Sequence, residues 1–299
     1  MALPNQLSPN GKWTKRLYWL IPLLMIVILV IVIIVWRISI AKKLASDTTV
    51  AVPASSSASS PPALLTKADI VAKFAGVEPK EWGLDSVGVK TKLDTSDKVV
   101  ALTFDACGST GGGGYDEDLI NYLVAEKIPA TLFINSRWID ANPEVFKQLS
   151  NNEIFEIANH GVLHKPCSAN GQEAYGVKGT ADIAAMVDEI QGGSDKIESL
   201  TAQKPKYFRA GTAYTDEICP QVAAALGEQV VNFSINGDAG AAYSAQQVRE
   251  ALLKATGGEI IIAHMNHPEG DTAEGYKLAI PELLAQGFNF VKLSQYKLK

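Results

Sequence analysis

Hydrophobic and polar positions follow different rules in three stretches of the chain. From Leu17 to Trp36 the pattern is a continuous apolar run of 20 residues, without charge and with one proline, Pro22. As a helix rising 1.5 Å per residue it would cover about 30 Å, the hydrocarbon thickness of a bilayer. Tyr18, Trp19 and Trp36 stand at its two ends, where amphipathic rings favour the membrane interface. A core helix would carry a polar stripe, and a signal peptide would have a shorter apolar segment followed by a small-residue cleavage site. The run has neither, so it predicts one uncleaved transmembrane helix. Residues 45–65, ASDTTVAVPASSSASSPPALL, then lose all periodicity and read as a tether.

Past Lys98 a third pattern takes over, in which short apolar runs alternate with amphipathic segments. Strands are expected at Val99–Phe104, Ala130–Ile134, Ile154–Ile157, Tyr207–Arg209, Gln229–Ile235, Glu259–Ala263 and Phe288–Leu293. Helices are expected at Glu117–Lys127, Pro143–Leu149, Ala181–Leu200, Ala245–Ala255 and Leu278–Ala285, with a further one at Lys67–Ala75 before the rhythm starts. Such alternation predicts a parallel sheet covered by helices, an α/β architecture of (β/α) barrel type. The implied organisation is a tail (1–16), a span (17–36), a linker (37–65), an N-terminal extension (66–97) and a catalytic domain (98–299).

Charge narrows the function classes. Residues 1–46 hold six basic and no acidic side chains, which leaves 21 basic against 32 acidic in residues 47–299, a net of −11. Such a body repels anionic polymers, so nucleic acids and nucleotides are excluded as partners. Gly108–Gly114 is glycine-rich but lacks the Gly-Lys-Ser/Thr of a phosphate loop. It reads instead as a rim. Three basic residues flank each side of the apolar run, so charge alone does not orient the span. The outward placement of the domain is an expectation from what the domain does.

In barrels and open α/β sheets the chemistry collects at the carboxyl ends of the strands. Asp105, His160, Arg209 and His264 fall there, with Asp238 just beyond a strand, and all four histidines lie at or just after strand ends. His160 and His164 are four apart, a spacing that on a helical turn lets two imidazoles chelate one divalent metal. Taken singly, each of these residues has an ordinary structural explanation. Together, Asp105 and His264 look like a proton-accepting carboxylate and a proton-donating imidazole across one mouth. Arg209 is expected to pair with Asp105 and hold it ionised, with a substrate clamp as the alternative.

These residues resemble the polysaccharide deacetylases with a NodB-homology domain (carbohydrate esterase family 4). Thr103-Phe104-Asp105 resembles the first motif, T-F-D-D-G, and Asn159-His160-Gly-Val-Leu-His164 resembles the H-(S/T)-x-x-H metal motif. Phe208-Arg209-Ala-Gly-Thr-Ala213 resembles R-P-P-x-G, and Ile262-Ala263-His264 resembles L-x-H. The resemblance implies a distorted (β/α) barrel and a metal-dependent hydrolase that removes N-acetyl groups from an envelope polysaccharide such as peptidoglycan. Asp105 would be the general base, His264 the acid, and His160 and His164 the metal ligands. Arg209 and Asp238 would orient groups or bind substrate. Neutral imidazoles suit zinc, and also cobalt, nickel or iron.

The family's second aspartate, a metal ligand, is replaced by Ala106, and Gly161 stands where Ser or Thr is usual. The missing ligand could come from Asp105, from Asp238, from waters or from a Cys107 thiolate. If the domain lies outside the cytoplasm, a Cys107–Cys167 disulfide could join the two motif loops. Hydrolysis of another small amide or imide, and glycan binding without catalysis, remain the rival readings.

Overall fold

The computed structural model describes residues 65–108 and 112–299. The expected span at 17–36, the linker and the middle of the glycine-rich rim lie outside them. Among the described residues no helix is long and apolar enough to cross a membrane.

Helix α1 (Lys67–Lys73) opens the domain and is started by a capping box between Thr66 and Asp69. The alternating elements follow. Strand β1 (Val99–Ala106) is buried along its whole length. Next come α2 (Glu117–Ala125), β2 (Ala130–Ile134), α3 (Ser136–Ala141), α4 (Pro143–Ser150) and β3 (Phe155–Asn159). A small antiparallel hairpin, β4 (Glu173–Ala174) with β5 (Val177–Lys178), precedes the long helix α5 (Ile183–Thr201). The remainder comprises β6 (Tyr207–Phe208), α6 (Cys219–Ala225), β7 (Gln229–Val230), β8 (Ile235–Asn236), α7 (Ala245–Leu252), β9 (Glu259–His264), α8 (Thr272–Ala285) and β10 (Asn289–Val291).

Eight strands form one parallel sheet in the order β7-β6-β3-β2-β1-β9-β8. β10 pairs with the first half of β1, on the edge whose second half β2 takes. β7 and β8 are not bonded to each other, so the barrel is incomplete. Alternation along β1 decides what faces where. Val100, Leu102, Phe104 and Ala106 join the core beneath the helices, with Leu119, Ile139 and Ile280. Val99 and Ala101 point to the opposite, concave side with Phe133, Ala158 and Ile260. Asp105 is in phase with this second set and therefore points into the barrel.

Three local expectations differ from the structure. The expected strand Gln229–Ile235 is two short strands on opposite flanks of the sheet, because the chain leaves β6 at Val230 and joins β9 at Ile235. Helix α8 begins at Thr272, six residues before the expected Leu278. Finally, Cys167 bonds Cys219, not Cys107, with a Cα–Cα distance of 5.9 Å. Cys167 reaches α6 because residues 166–168 run beside Thr215. Cys107 remains a free, buried thiol.

Candidate active site

The carboxyl ends of β1, β3, β6 and β9 converge on a cavity of about 610 Å³ whose lining includes Asp105, Cys107, His164, Thr212 and His264. The register places Asp105 directly beside His264 on neighbouring parallel strands. One flank is the Asp105 wall. Arg209 Nη1 donates to Asp105 Oδ1 at 2.7 Å. The guanidinium also donates to the carbonyls of Val231 and Asn232, each at 3.0 Å, and lies 4.1 Å from the centre of the Phe133 ring. Each nitrogen of this buried cation thus has a partner. Arg209 is fully buried behind Asp105, so it is the aspartate's ion-pair partner and not a substrate clamp. Burial would raise the Asp105 carboxyl, but the charges of Arg209, His160 and His264 outweigh it and hold it below the ordinary carboxylate range.

The other flank is the His264 wall. His264 Nδ1 lies 3.0 Å from Asp238 Oδ1, and the His264 backbone N–H donates to Oδ2 at 2.7 Å. Thr272 Oγ1 and the Gly240 N–H donate to the same carboxylate at 3.2 and 3.0 Å. Asp238 is fully enclosed, with His264 between it and the cavity. It therefore orients the imidazole and contributes nothing to the ligand cluster. Burial opposes a charge on His264, yet the Asp238 carboxylate prevails and raises it well above the ordinary histidine range. His267 turns away to the exposed Glu269 at 2.9 Å.

Between the walls lies a group able to hold a cation. Cys107, His160 and His164 bring one ligand atom each to within 4.8 Å of one another. His160 Nδ1 lies 2.8 Å from the Arg209 carbonyl. A carbonyl only accepts, so Nδ1 carries a proton, and Nε2, 3.8 Å from Cys107 Sγ and 3.5 Å from Asp105 Oδ2, is the ring nitrogen open to a cation. Two ligands on a tetrahedral zinc, at about 2.0 Å for nitrogen and 2.3 Å for sulfur, sit roughly 3.6 Å apart. The donor set therefore fits a divalent metal with an affinity for thiolate. Burial disfavours the Cys107 thiolate, but contacts with His164, His160 and His264 outweigh that and place the thiol well below its ordinary range.

The histidines do not share a helical turn, as their spacing suggested. They lie on a loop in which His164 has φ +58°, and their rings meet edge to face with centroids 4.8 Å apart. Three polar side chains hold this loop. Glu189 of α5 accepts from the N–H groups of Leu163 and Lys165 at 2.9 and 3.2 Å. Asn135 donates to the carbonyls of His160 and Gly161, and Asn159 accepts from the Gly161 N–H. Gly161 has φ +74°, and a Cβ there would collide with the Glu189 carboxylate. The departure from Ser or Thr at this position therefore follows from the Glu189 clamp. Glu189 and Asn135 carried no readable signal in the sequence. Cys107 did carry one, because it is two residues from Asp105 and hence on the same face of an extended chain. Ala106 points into the core under the helices instead.

Residues 92–231 match the family model for polysaccharide deacetylase. No curated protein is significantly similar to the chain. Among solved structures, a CE4 family pseudoenzyme from Bacillus anthracis is 19% identical, covering 69% of this chain and 67% of that one at a TM-score of 0.59. The Bc1960 peptidoglycan N-acetylglucosamine deacetylase is 21% identical over 70% and 92% of the two chains, at 0.59. PdaA of Bacillus subtilis, a family 4 carbohydrate esterase, is 19% identical over 76% and 86%, at 0.57. At such identities the neighbours establish the curled α/β fold. The residues that match the polysaccharide deacetylase model carry β1, the histidine loop and Arg209, the parts of the chain that build most of this cavity.

Proposed function

We propose that this protein is a metal-dependent deacetylase that hydrolyses N-acetyl groups of an envelope glycan, peptidoglycan or a related polymer, with Cys107, His160 and His164 holding the ion. The observation that carries the reading is the cavity itself. An ionised carboxylate on one wall faces a proton-carrying imidazole on the other, with the ligand cluster between them. A divalent ion bound there would supply Lewis acidity for water and for the acetyl oxygen. Asp105, anchored by Arg209, takes the proton of the attacking water. His264, oriented by Asp238, gives a proton to the departing amine, and its raised pKa keeps that proton available at neutral pH. The products are acetate and a free amino sugar. The acidic body suits a product that gains positive charge.

Zinc suits the cluster best, because a thiolate replaces the carboxylate that would favour harder ions. The apolar run at 17–36 and the linker at 37–65 support a membrane-tethered domain outside the cytoplasm with the N-terminus inside. The Cys167–Cys219 disulfide supports the same compartment, since such bonds persist where the environment is oxidising.

The test is acetate release from N-acetylglucosamine oligomers and peptidoglycan by zinc-loaded protein. Activity should vanish with a chelator and return with zinc. Cobalt loading should produce thiolate charge-transfer absorption that Cys107→Ala abolishes. A protein that binds no metal and releases no acetate would favour the second reading, a glycan-binding module without catalysis. Two observations motivate that second reading: Ala106 at the ligand position, and a structural neighbour described as a pseudoenzyme.

A further inference from the structure

Three segments far apart in sequence bring aromatic rings together at the rim of the cavity. Tyr214 follows the short helical turn after β6. Trp82, from the extension before β1, lies 5.7 Å from it, centroid to centroid. Tyr175, from the β4–β5 hairpin, meets Tyr214 edge to face at 5.3 Å. The cluster is fixed from below. Gly83 and Cys167 both pair with Thr215, the Ser86 and Thr215 hydroxyls lie 2.7 Å apart, and the Glu217 carboxylate accepts from the N–H groups of Lys80 and Glu81. The Cys167–Cys219 bond ties the same loops together.

Tyr175 is the telling member. It is 77% exposed, yet it lines the cavity that holds Asp105 and His264. Its backbone is left-handed, with φ +51°, and Gly176 follows at φ +76°. Ala174 and Val177 are paired across them, so Tyr175-Gly176 is a two-residue hairpin loop with both φ positive. That turn strongly prefers Asn, Asp or Gly at its first central position. A large aromatic there strains the backbone and buries little in return. Stability therefore does not account for it, and an outlier beside a reaction cavity points to function.

We propose that Tyr175, backed by Tyr214 and Trp82, is a stacking ledge for a pyranose ring of the glycan adjoining the unit that enters the cavity. The C–H face of a pyranose is weakly positive and the face of an aromatic ring negative, so the two attract while burying apolar area. The ligand class is a neutral polymer of N-acetylated hexosamines. The ledge selects for chain length, because the ring that it stacks belongs to a unit beside the one whose acetyl group lies at Asp105 and His264. This inference rests on the deacetylase reading and names the substrate feature that the site recognises.

The experiment compares the full chain with its Tyr175→Ala, Tyr175→Asn and Tyr175→Phe variants on N-acetylglucosamine and on its hexamer. Tyr175→Asn and Tyr175→Ala should lower kcat/KM for the hexamer about threefold to tenfold more than for the single sugar, chiefly through KM. Tyr175→Phe should restore the preference. Tyr175→Asn should melt no lower than wild type, because Asn suits the turn, so a loss of hexamer preference in that variant is not a folding defect. Equal losses at both chain lengths, or a preference unchanged in Tyr175→Asn, would overturn the ledge. If wild type releases no acetate from either sugar, the deacetylase reading fails by itself. Calorimetric titration of the hexamer then decides the ledge: weaker binding by Tyr175→Asn than by wild type sustains it, and equal binding sinks it.

Discussion

Asp105 and Asp238 are both buried aspartates at the mouth of the same sheet, and they are set up for opposite tasks. Asp105 has one permanently charged partner, Arg209, and keeps an oxygen toward the cavity, 3.5 Å from His160 Nε2. Asp238 is wrapped by donors from His264, Thr272 and Gly240 and never meets the cavity. One carboxylate is held ionised and available. The other places its charge on an imidazole and acts through it. The residue type does not assign the role; the partners and the direction of exposure do.

The severest way to break this contrast is Asp105→Ala. It removes the proposed base and strands Arg209 as an unpaired buried charge. We expect acetate release to fall by about 10² to 10⁴, and unfolding in denaturant to show a loss of about 3–5 kcal/mol. Adding Arg209→Met should recover much of the stability and none of the activity. Asp238→Asn is the milder counterpart. It keeps the shape but removes the charge that protonates and aligns His264, so activity should fall by about 10²-fold or more. The raised His264 pKa should drop, and the alkaline limb of the pH–rate profile should move to lower pH. A profile that stays in place would mean that Asp238 does not act through His264.

Glu228 sharpens the comparison as a buried carboxyl whose nearby cation, Lys204, is too weak to offset burial. Burial pushes it up to about 8, although Asn159 donates to it at 3.0 Å. Its folded-state pKa lies above its unfolded value. The folded protein therefore holds a proton that the unfolded chain has lost between about pH 4.5 and 8, and stability declines as pH rises through that window. Glu228→Gln should remove this slope and stabilise the protein at pH 8 by on the order of 3 kcal/mol, read from denaturant midpoints. An unchanged slope would place the titration elsewhere.

Much of the fold was legible because its signals are local. Runs such as Val99–Phe104 and Glu259–Ala263, bounded by polar or glycine-rich turns, read as buried parallel strands without reference to anything distant. The segment after β7 was not legible. Gln229–Ile235 is uniformly strand-like, and only pairing with β6 at one end and β9 at the other divides it. Likewise the disulfide could not be read from three cysteines, because its choice of Cys219 depends on where residues 166–168 run in space.

The same division holds at the site. Period-two alternation and strand-end position determined that Asp105, His160, Arg209 and His264 would share one mouth. Tertiary structure decided who pairs with whom: Arg209 with Asp105, Asp238 with His264, Cys107 with the two histidines, and Glu189 with the loop that carries them. The physical reason is range. The direction of a side chain from its backbone is set within a residue or two, whereas the partner it meets is set by sheet register and loop paths that bring together positions as far apart in the chain as Asp105 and His264.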